Sequence, residues 1–169
     1  MDDFKKGEYI SYDRAGICRI TDILERDLGA GQRAYYALNA VSDPRLQIYV
    51  PVGSPLAQKN MRHSPDAAAI NAAIDDAEQG CVWIEDPKER AGKWSAVISE
   101  GDRLEILRVF KQLATYRQSL SAEKKKLYVS DARLLSDAET IITEEFGFSL
   151  GIPASQVIPY ILRRLGKET

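Results

Sequence analysis

Hydrophobic and polar positions change their period along this chain. From Tyr9 to Val52 the apolar residues come in short runs rich in β-branched and aromatic types. In Ile17–Glu25, Ile20 alternates with Arg19 and Thr21, which suits a half-buried strand. A strand is predicted to begin with Tyr9, Ile10 and Tyr12, after a turn at Lys6-Gly7, and Arg14-Ala15-Gly16 turns the chain into the next. Gly29-Ala30-Gly31 closes a hairpin, because glycine accepts the positive φ such turns demand. The chain returns over Arg33–Val41, turns at Asp43-Pro44 and forms a last strand at Leu46–Val50, ended by Pro51. Short strands and tight turns within about fifty residues predict a small, strongly bent antiparallel sheet or half-open barrel. On its last strand Leu46, Ile48 and Val50 share one face, and Gln47 and Tyr49 share the other. A bare edge strand is an aggregation hazard unless a partner sheet pairs with it. Tyr49 is therefore either a solvent-edge aromatic or a contact on a protein-binding edge.

After Gly53-Ser54-Pro55, which breaks the sheet, the period becomes helical. Ser64-Pro65-Asp66 predicts a helix start with Ser64 as N-cap, followed by Ala67, Ile70, Ala73 or Ile74 and Ala77 at helical spacing, and Gly80 as the stop. A helix from Pro87 to about Ser99 carries Trp94, Val97 and Ile98 on an apolar face and stops at Glu100-Gly101. Asp102 caps the next, with Glu105 completing a capping-box-like pair, and Leu104, Ile106, Leu107, Phe110, Leu113 and Ala114 form its core stripe. Ser119–Ser121 is read as a turn and a new cap. A long helix follows, with Leu127, Leu134, Leu135, Ala138, Ile141, Ile142 and Phe146 in period, and a last one spans about Pro153 to Leu165. The expected class is α+β: an antiparallel β domain over 1–54, a linker with a helix over 55–80, and an all-α domain over 81–169.

At the join between these halves lies Cys81–Lys93, in which Trp83 precedes an acidic pair, a proline and the mixed run Lys88-Glu89-Arg90. A large aromatic at a polar junction is either packed between the halves or offered to a partner. The formal net charge of −2 argues against a protein held to nucleic acid mainly by bulk charge. Lys124-Lys125-Lys126 is read as a solvated helix start in preference to a phosphate contact, and Glu139, Glu144 and Glu145 as surface charge.

The residues for common chemistries are missing. With one histidine, two cysteines and no CxxC, a Cys/His zinc site cannot be assembled. Gly29-Ala30-Gly31 lacks the third glycine of a dinucleotide loop, no GxSxG occurs, and no nucleophile stands near a base. His63 is read as a surface or capping residue, and Cys18 and Cys81 as buried free thiols. The expectation is a binding protein: no enzyme, no cofactor, no metal and no small-molecule substrate. The start, MDDFKKGEY, has no apolar core, and no run approaches the roughly 20 apolar residues of a membrane span, so a soluble cytoplasmic protein is expected.

The order of several motifs carries a family resemblance. The opening Phe4-Lys5-Lys6-Gly7-Glu8-Tyr9-Ile10-Ser11-Tyr12 with Ala15-Gly16-Ile17, then Tyr36-Ala37-Leu38 and Ile48-Tyr49-Val50-Pro51-Val52, belong to the first half. Trp83-Ile84-Glu85, Ser99-Glu100-Gly101-Asp102, Leu120-Ser121-Ala122-Glu123-Lys124-Lys125 and Glu144–Ile152 follow in the second. Together they resemble the CarD-type bacterial transcription regulators, with departures at Glu8, Asp13, Arg14 and Ala15. The resemblance implies a Tudor-like N-terminal β domain that docks on the RNA polymerase β subunit by edge pairing. It also implies a helical domain that touches promoter DNA at the upstream edge of the melted region, where a tryptophan wedges into the minor groove. Matched by position, that residue is Trp83, whereas Trp94 falls on the core stripe. Lys88, Arg90 and Lys93 stand nearby as candidate phosphate contacts. On the polymerase side Arg26 matches a basic position of the family, the strand edge is Leu46, Gln47, Ile48 and Tyr49, and Tyr49 stands where some members carry arginine. Polymerase would supply most of the localisation, which reconciles a DNA contact with an acidic chain. The expected function is a regulator that binds polymerase and promoter DNA and stabilises the open complex; the alternative is a polymerase-binding adaptor without DNA contact.

Overall fold

The turn residues of the first half set a meander. The computed structural model describes residues 3–76 and 82–166, without the side chain of Arg14. Strand β1 (Tyr9–Tyr12) leads through a short 3-10 turn at Asp13–Ala15 into the long β2 (Gly16–Asp27), followed by β3 (Gln32–Ala40) and β4 (Gln47–Pro51). Gly29 has φ 98° in the β2–β3 hairpin, and its amide donates to Asp27 Oδ1 at 2.9 Å. All neighbouring strands run antiparallel, with Ile10 opposite Cys18, Ile20 opposite Leu38 and Leu38 opposite Ile48. One face of the sheet thereby collects Ile10, Cys18, Ile20, Leu38 and Val50 into a core closed by Phe4, Tyr36 and Met61. The β2–β3 register shifts between Ile20 and Asp22, a bulge at which Thr21 donates through Oγ1 to the Ala37 carbonyl at 3.1 Å. Bulges of this kind bend a strand and increase its twist.

Two further elements complete this unit. Ser54, read above only as part of a break, is an N-cap: its hydroxyl accepts from the Ala57 amide at 3.1 Å, and Pro55 opens the helix α1 (Pro55–Asn60). Strand β5 (Met61–His63) then pairs with β1, giving the five-stranded order β4-β3-β2-β1-β5. The chain divides into two compact units, Met1–Ser64 and Pro65–Thr169. The segment 55–80, expected as a linker, is thus shared out: α1 and β5 finish the sheet unit, and the next helix opens the helical one.

In the second unit α2 (Ala67–Asp75) is capped by Asp66, whose carboxylate accepts from the Ala69 amide at 2.8 Å. Asp66 takes the place expected of Ser64, because a carboxylate both accepts that bond and opposes the positive end of the helix dipole. Ala77 and the predicted stop at Gly80 lie outside the described residues. The carbonyls of Ala73, Ile74 and Asp76 accept from Lys111 Nζ at 2.8–2.9 Å, which satisfies the end of α2. Helix α3 (Pro87–Glu100) starts on Asp86, which accepts from the Glu89 amide at 2.7 Å, and ends at Gly101 in the left-handed region. Helix α4 (Arg103–Ala122) starts on Asp102, whose carboxylate accepts from the amides of Leu104 and Glu105, both at 3.0 Å.

The predicted turn at Ser119–Ser121 is absent, since α4 runs through it. Ser119 donates from its hydroxyl to the Tyr116 carbonyl at 2.8 Å, so a residue often found at caps is satisfied inside the helix. The break falls later, where Lys124 has φ 58°, and α5 (Val129–Leu150) begins after it. Lys124, Lys125 and Lys126 are therefore an exposed connection, not a helix start. Helix α6 (Ala154–Arg164) packs against α5 and α2, and α2 to α6 together enclose Ile70, Trp94, Phe110, Leu113, Ile142, Phe146 and Ile161.

Glu145 corrects the reading of surface charge. It is 2% exposed and ion-paired with Arg103, because it shares the inward face of α5 with Ala138 and Ile142 at helical spacing. Glu144 is exposed, and Glu139 lies 3.6 Å from Arg117 in a partly exposed pair. Among the described residues no helix is long and apolar enough to cross a membrane, and no His/Cys/Asp/Glu group could hold a metal ion.

Candidate functional sites

In the first unit the candidate edge is the outer strand of the sheet. Among the described residues β4 pairs only with β3, so it forms an edge of the sheet. Leu46 lies just before the strand, is 44% exposed, and accepts from the Ala40 amide through its carbonyl at 3.2 Å. Gln47 is exposed, while Ile48 is half-buried against the core beside Val50. Tyr49 is half-buried for a different reason. The exposed Arg26 of β2 reaches over β3 and places its guanidinium carbon 5.1 Å from the Tyr49 ring centroid. The structure thus brings together Arg26 and Tyr49, and sets Leu46 and Gln47 beside them on the strand edge.

In the second unit Trp83 lies in the irregular segment 82–86 that leads into α3. Its ring meets Tyr116 of α4 at 4.5 Å between centroids, with planes 54° apart, and Trp94 of α3 edge-on at 5.7 Å and 71°. Trp94 is 2% exposed and belongs to the helical core; Trp83 is half-buried on its margin. Val82, its neighbour, is 84% exposed.

Arg90 occupies the centre of this cluster. It is 1% exposed, so the phosphate contact expected of it is not available, and that expectation is corrected. The physical reason is its place on the stripe Arg90, Trp94, Val97 at i, i+4 and i+7, which faces the core. Its Nε and Nη2 donate to the two Asp131 carboxylate oxygens at 2.9 and 2.5 Å, a bidentate pair with α5. Its Nη1 donates to the carbonyl of Ile84 at 2.5 Å and of Glu85 at 3.3 Å. The guanidinium carbon stands 4.4 Å from the Trp83 ring centroid and 5.8 Å from that of Tyr116. The hydrogen-bonded Asp131 carboxylate outweighs burial and holds the guanidinium further above its already high range.

Of the other expected phosphate contacts, Lys88 is exposed, and Lys93 is exposed but paired with Glu89 at 2.6 Å, one helical turn before it. Lys125 is exposed and pairs with Glu123 at 2.7 Å, which holds its ammonium above the usual lysine range. Sequence reading assigned no role to Tyr116 or Asp131. For Arg90 the signal was present in its spacing from Trp94 and was overridden by its charge.

A family model, the CarD-like/TRCF RID domain, matches residues 4–62. A search of curated proteins returns no match. The matched span runs past β4 and takes in α1 and most of β5, in keeping with their place in the sheet unit. The sheet unit is therefore similar to the CarD-like/TRCF RID domains.

Proposed function

We propose that this protein is a non-enzymatic transcription regulator that docks on the RNA polymerase β subunit through the β4 edge and contacts promoter DNA through the segment around Trp83, stabilising the open complex. The observation that carries the reading is the family match over the sheet unit, joined to an open edge strand with Arg26 stacked on Tyr49 beside it. Edge pairing supplies backbone hydrogen bonds, and the side chains of alternate residues supply specificity. On the DNA side, an aromatic wedge offsets the cost of unstacking a base step. Trp83, with the exposed Val82 beside it, has the chemistry for this, and Lys88, Lys124 and Lys126 are exposed cations that could meet phosphates. The test is the lifetime of the open complex on a promoter with cognate polymerase. The wild-type chain is expected to lengthen it and Trp83→Ala to remove that effect; a lifetime unchanged by the wild-type chain would overturn the reading.

Three observations favour the second reading, a polymerase-binding adaptor without DNA contact. Arg90 is committed to the interior, Lys93 is paired, and the formal net charge is −2. On that reading the chain binds the polymerase β lobe, charge reversal at Arg26 weakens the binding, and the lifetime of the open complex does not respond.

A further inference from the structure

The geometry points to Arg90 and Asp131 as a clasp that positions Trp83, so that the residue offered to DNA is held rigidly from inside the helical unit. This rests on the promoter-contact reading and deepens it, by assigning a role to two side chains that cannot themselves reach a partner.

Three contacts of one guanidinium carry the inference. First, Nη1 donates to the carbonyls of Ile84 and Glu85, the two residues that follow Trp83 in a segment with no regular hydrogen bonding of its own. The main chain that bears the tryptophan is therefore tied to α3 through a side chain. Second, the guanidinium carbon stands 4.4 Å from the Trp83 ring centroid, and the Tyr116 ring contacts the indole as well. A desolvated cation against an aromatic ring is a stronger contact than its exposed counterpart. Third, Asp131 holds Nε and Nη2 in a fork 41 residues away on α5, which fixes the plane of the guanidinium and so the seat of the ring.

The cluster is not accounted for by packing alone. Burying an ion pair is costly, and apolar residues of similar volume commonly serve stability as well or better. What an apolar pair could not do is donate to the carbonyls of Ile84 and Glu85. Rigid presentation of a contact residue lowers the ordering cost of binding. Lysine cannot replace Arg90 here, since it has neither the planar fork nor the stacking surface.

The experiment uses the full chain with cognate polymerase and four proteins: wild type, Trp83→Ala, the double variant Arg90→Met/Asp131→Leu, and the triple variant. The double variant removes both charges together and so leaves none unpaired. Thermal melting checks the fold, acrylamide quenching of tryptophan fluorescence reads the seat of Trp83 against the buried Trp94, and open-complex lifetime reads function. Expected are a melting transition close to wild type, a rise in quenching, and loss of the Trp83-dependent part of the lifetime, with no further loss in the triple variant. Unchanged quenching in the folded double variant overturns the clasp, as does a Trp83→Ala effect that persists in full in that background. If Trp83→Ala itself leaves the lifetime as in wild type, the promoter-contact reading fails, and with it the functional role of the clasp; quenching then still reports whether the pair seats the ring. Should the double variant not fold, Arg90→Lys gives the same readings, with a rise in quenching expected and none overturning the clasp.

Discussion

Arg26 stacks on Tyr49 across β3, with the guanidinium carbon 5.1 Å from the ring centroid. The two residues come from strands that do not pair with each other, and their contact is made on the face opposite Ile20, Leu38 and Val50. The aromatic ring thus supports a cation beside the edge strand β4. A stacked pair at an exposed site is worth about 0.5–1 kcal/mol, so its removal should hardly alter folding. Tyr49→Ala is expected to lower affinity for the polymerase β lobe with little change in melting temperature, and Tyr49→Phe to preserve it. Arg26→Glu should weaken binding more than Tyr49→Ala, because it reverses the charge as well as losing the stack. Biolayer interferometry on the isolated lobe gives the ranking, and full affinity in both Tyr49→Ala and Arg26→Glu would place the docking surface elsewhere.

Within the helical unit, Asp131 matters more to stability than its charge alone suggests. It is fully buried and answers both forks of Arg90. Asp131→Ala leaves a guanidinium in the interior with only carbonyl partners, a change that typically costs about 3–5 kcal/mol. Removing both charges in Arg90→Met/Asp131→Leu should cost much less. Urea denaturation of the two variants distinguishes these outcomes. A single variant no less stable than the double one would show that Arg90 finds another partner or leaves the core.

The sequence made the meander legible because its turns are chemically marked: Gly29-Ala30-Gly31 and Asp43-Pro44 lie where β2, β3 and β4 are joined. Asp102 and Gly101 likewise marked helix ends. α1 was missed although Ser54-Pro55 is the same kind of start signal as Ser64-Pro65, because six residues are too few to show a period. β5 was invisible for a different reason: its three residues become a strand only by pairing with β1, which is a tertiary event. α4 outran its predicted end because Ser119 satisfies its own hydroxyl on the preceding turn. Arg90 and Glu145 were both placed at the surface by their charge, although each falls on an apolar stripe. Spacing located them correctly, but only the partners, Asp131 and Arg103, make burial tolerable, and no local pattern links residues so far apart.

Gly147 and Gly92 form a matched pair of helical glycines with opposite expectations. At Gly147 a Cβ would stand 3.1 Å from the Ile152 carbonyl oxygen and 3.3 Å from the Ala154 Cα, where α6 follows α5. Both neighbours are backbone and cannot rotate aside. Gly147→Ala is therefore expected to destabilise by about 1–3 kcal/mol, in the range of other overpacking changes. At Gly92, on the exposed side of α3, nothing lies within 4 Å of the added carbon. Gly92→Ala should stabilise by roughly 0.5–1 kcal/mol by restricting the unfolded chain. Thermal denaturation of the two single variants gives both signs, and destabilisation by Gly92→Ala would argue that α3 approaches another surface there.

Cys18 gives a dependence on alkaline pH whose sign can be worked out. Its thiol is 0% exposed between Ile10 and Ala40 on the sheet core, and burial raises its pKa from 9.0 to about 11. In the unfolded chain the thiol deprotonates as pH passes 9, while the folded chain keeps its proton until about 11. Between those values the unfolded state binds fewer protons, so stability falls as pH rises, at no more than about 1.4 kcal/mol per pH unit. Below pH 9 both states are protonated and Cys18 contributes no slope. A Cys81→Ser background confines the reading to Cys18. In that background denaturation at pH 8 and pH 10.5 should show the loss, and Cys18→Ala should remove that part of it. The same burial predicts negligible reaction with a disulfide reagent at pH 8 until denaturant is added, since the thiolate is the reactive form. Rapid labelling of the native chain would show that the sheet opens at β1, β2 and β3 far more readily than its packing implies.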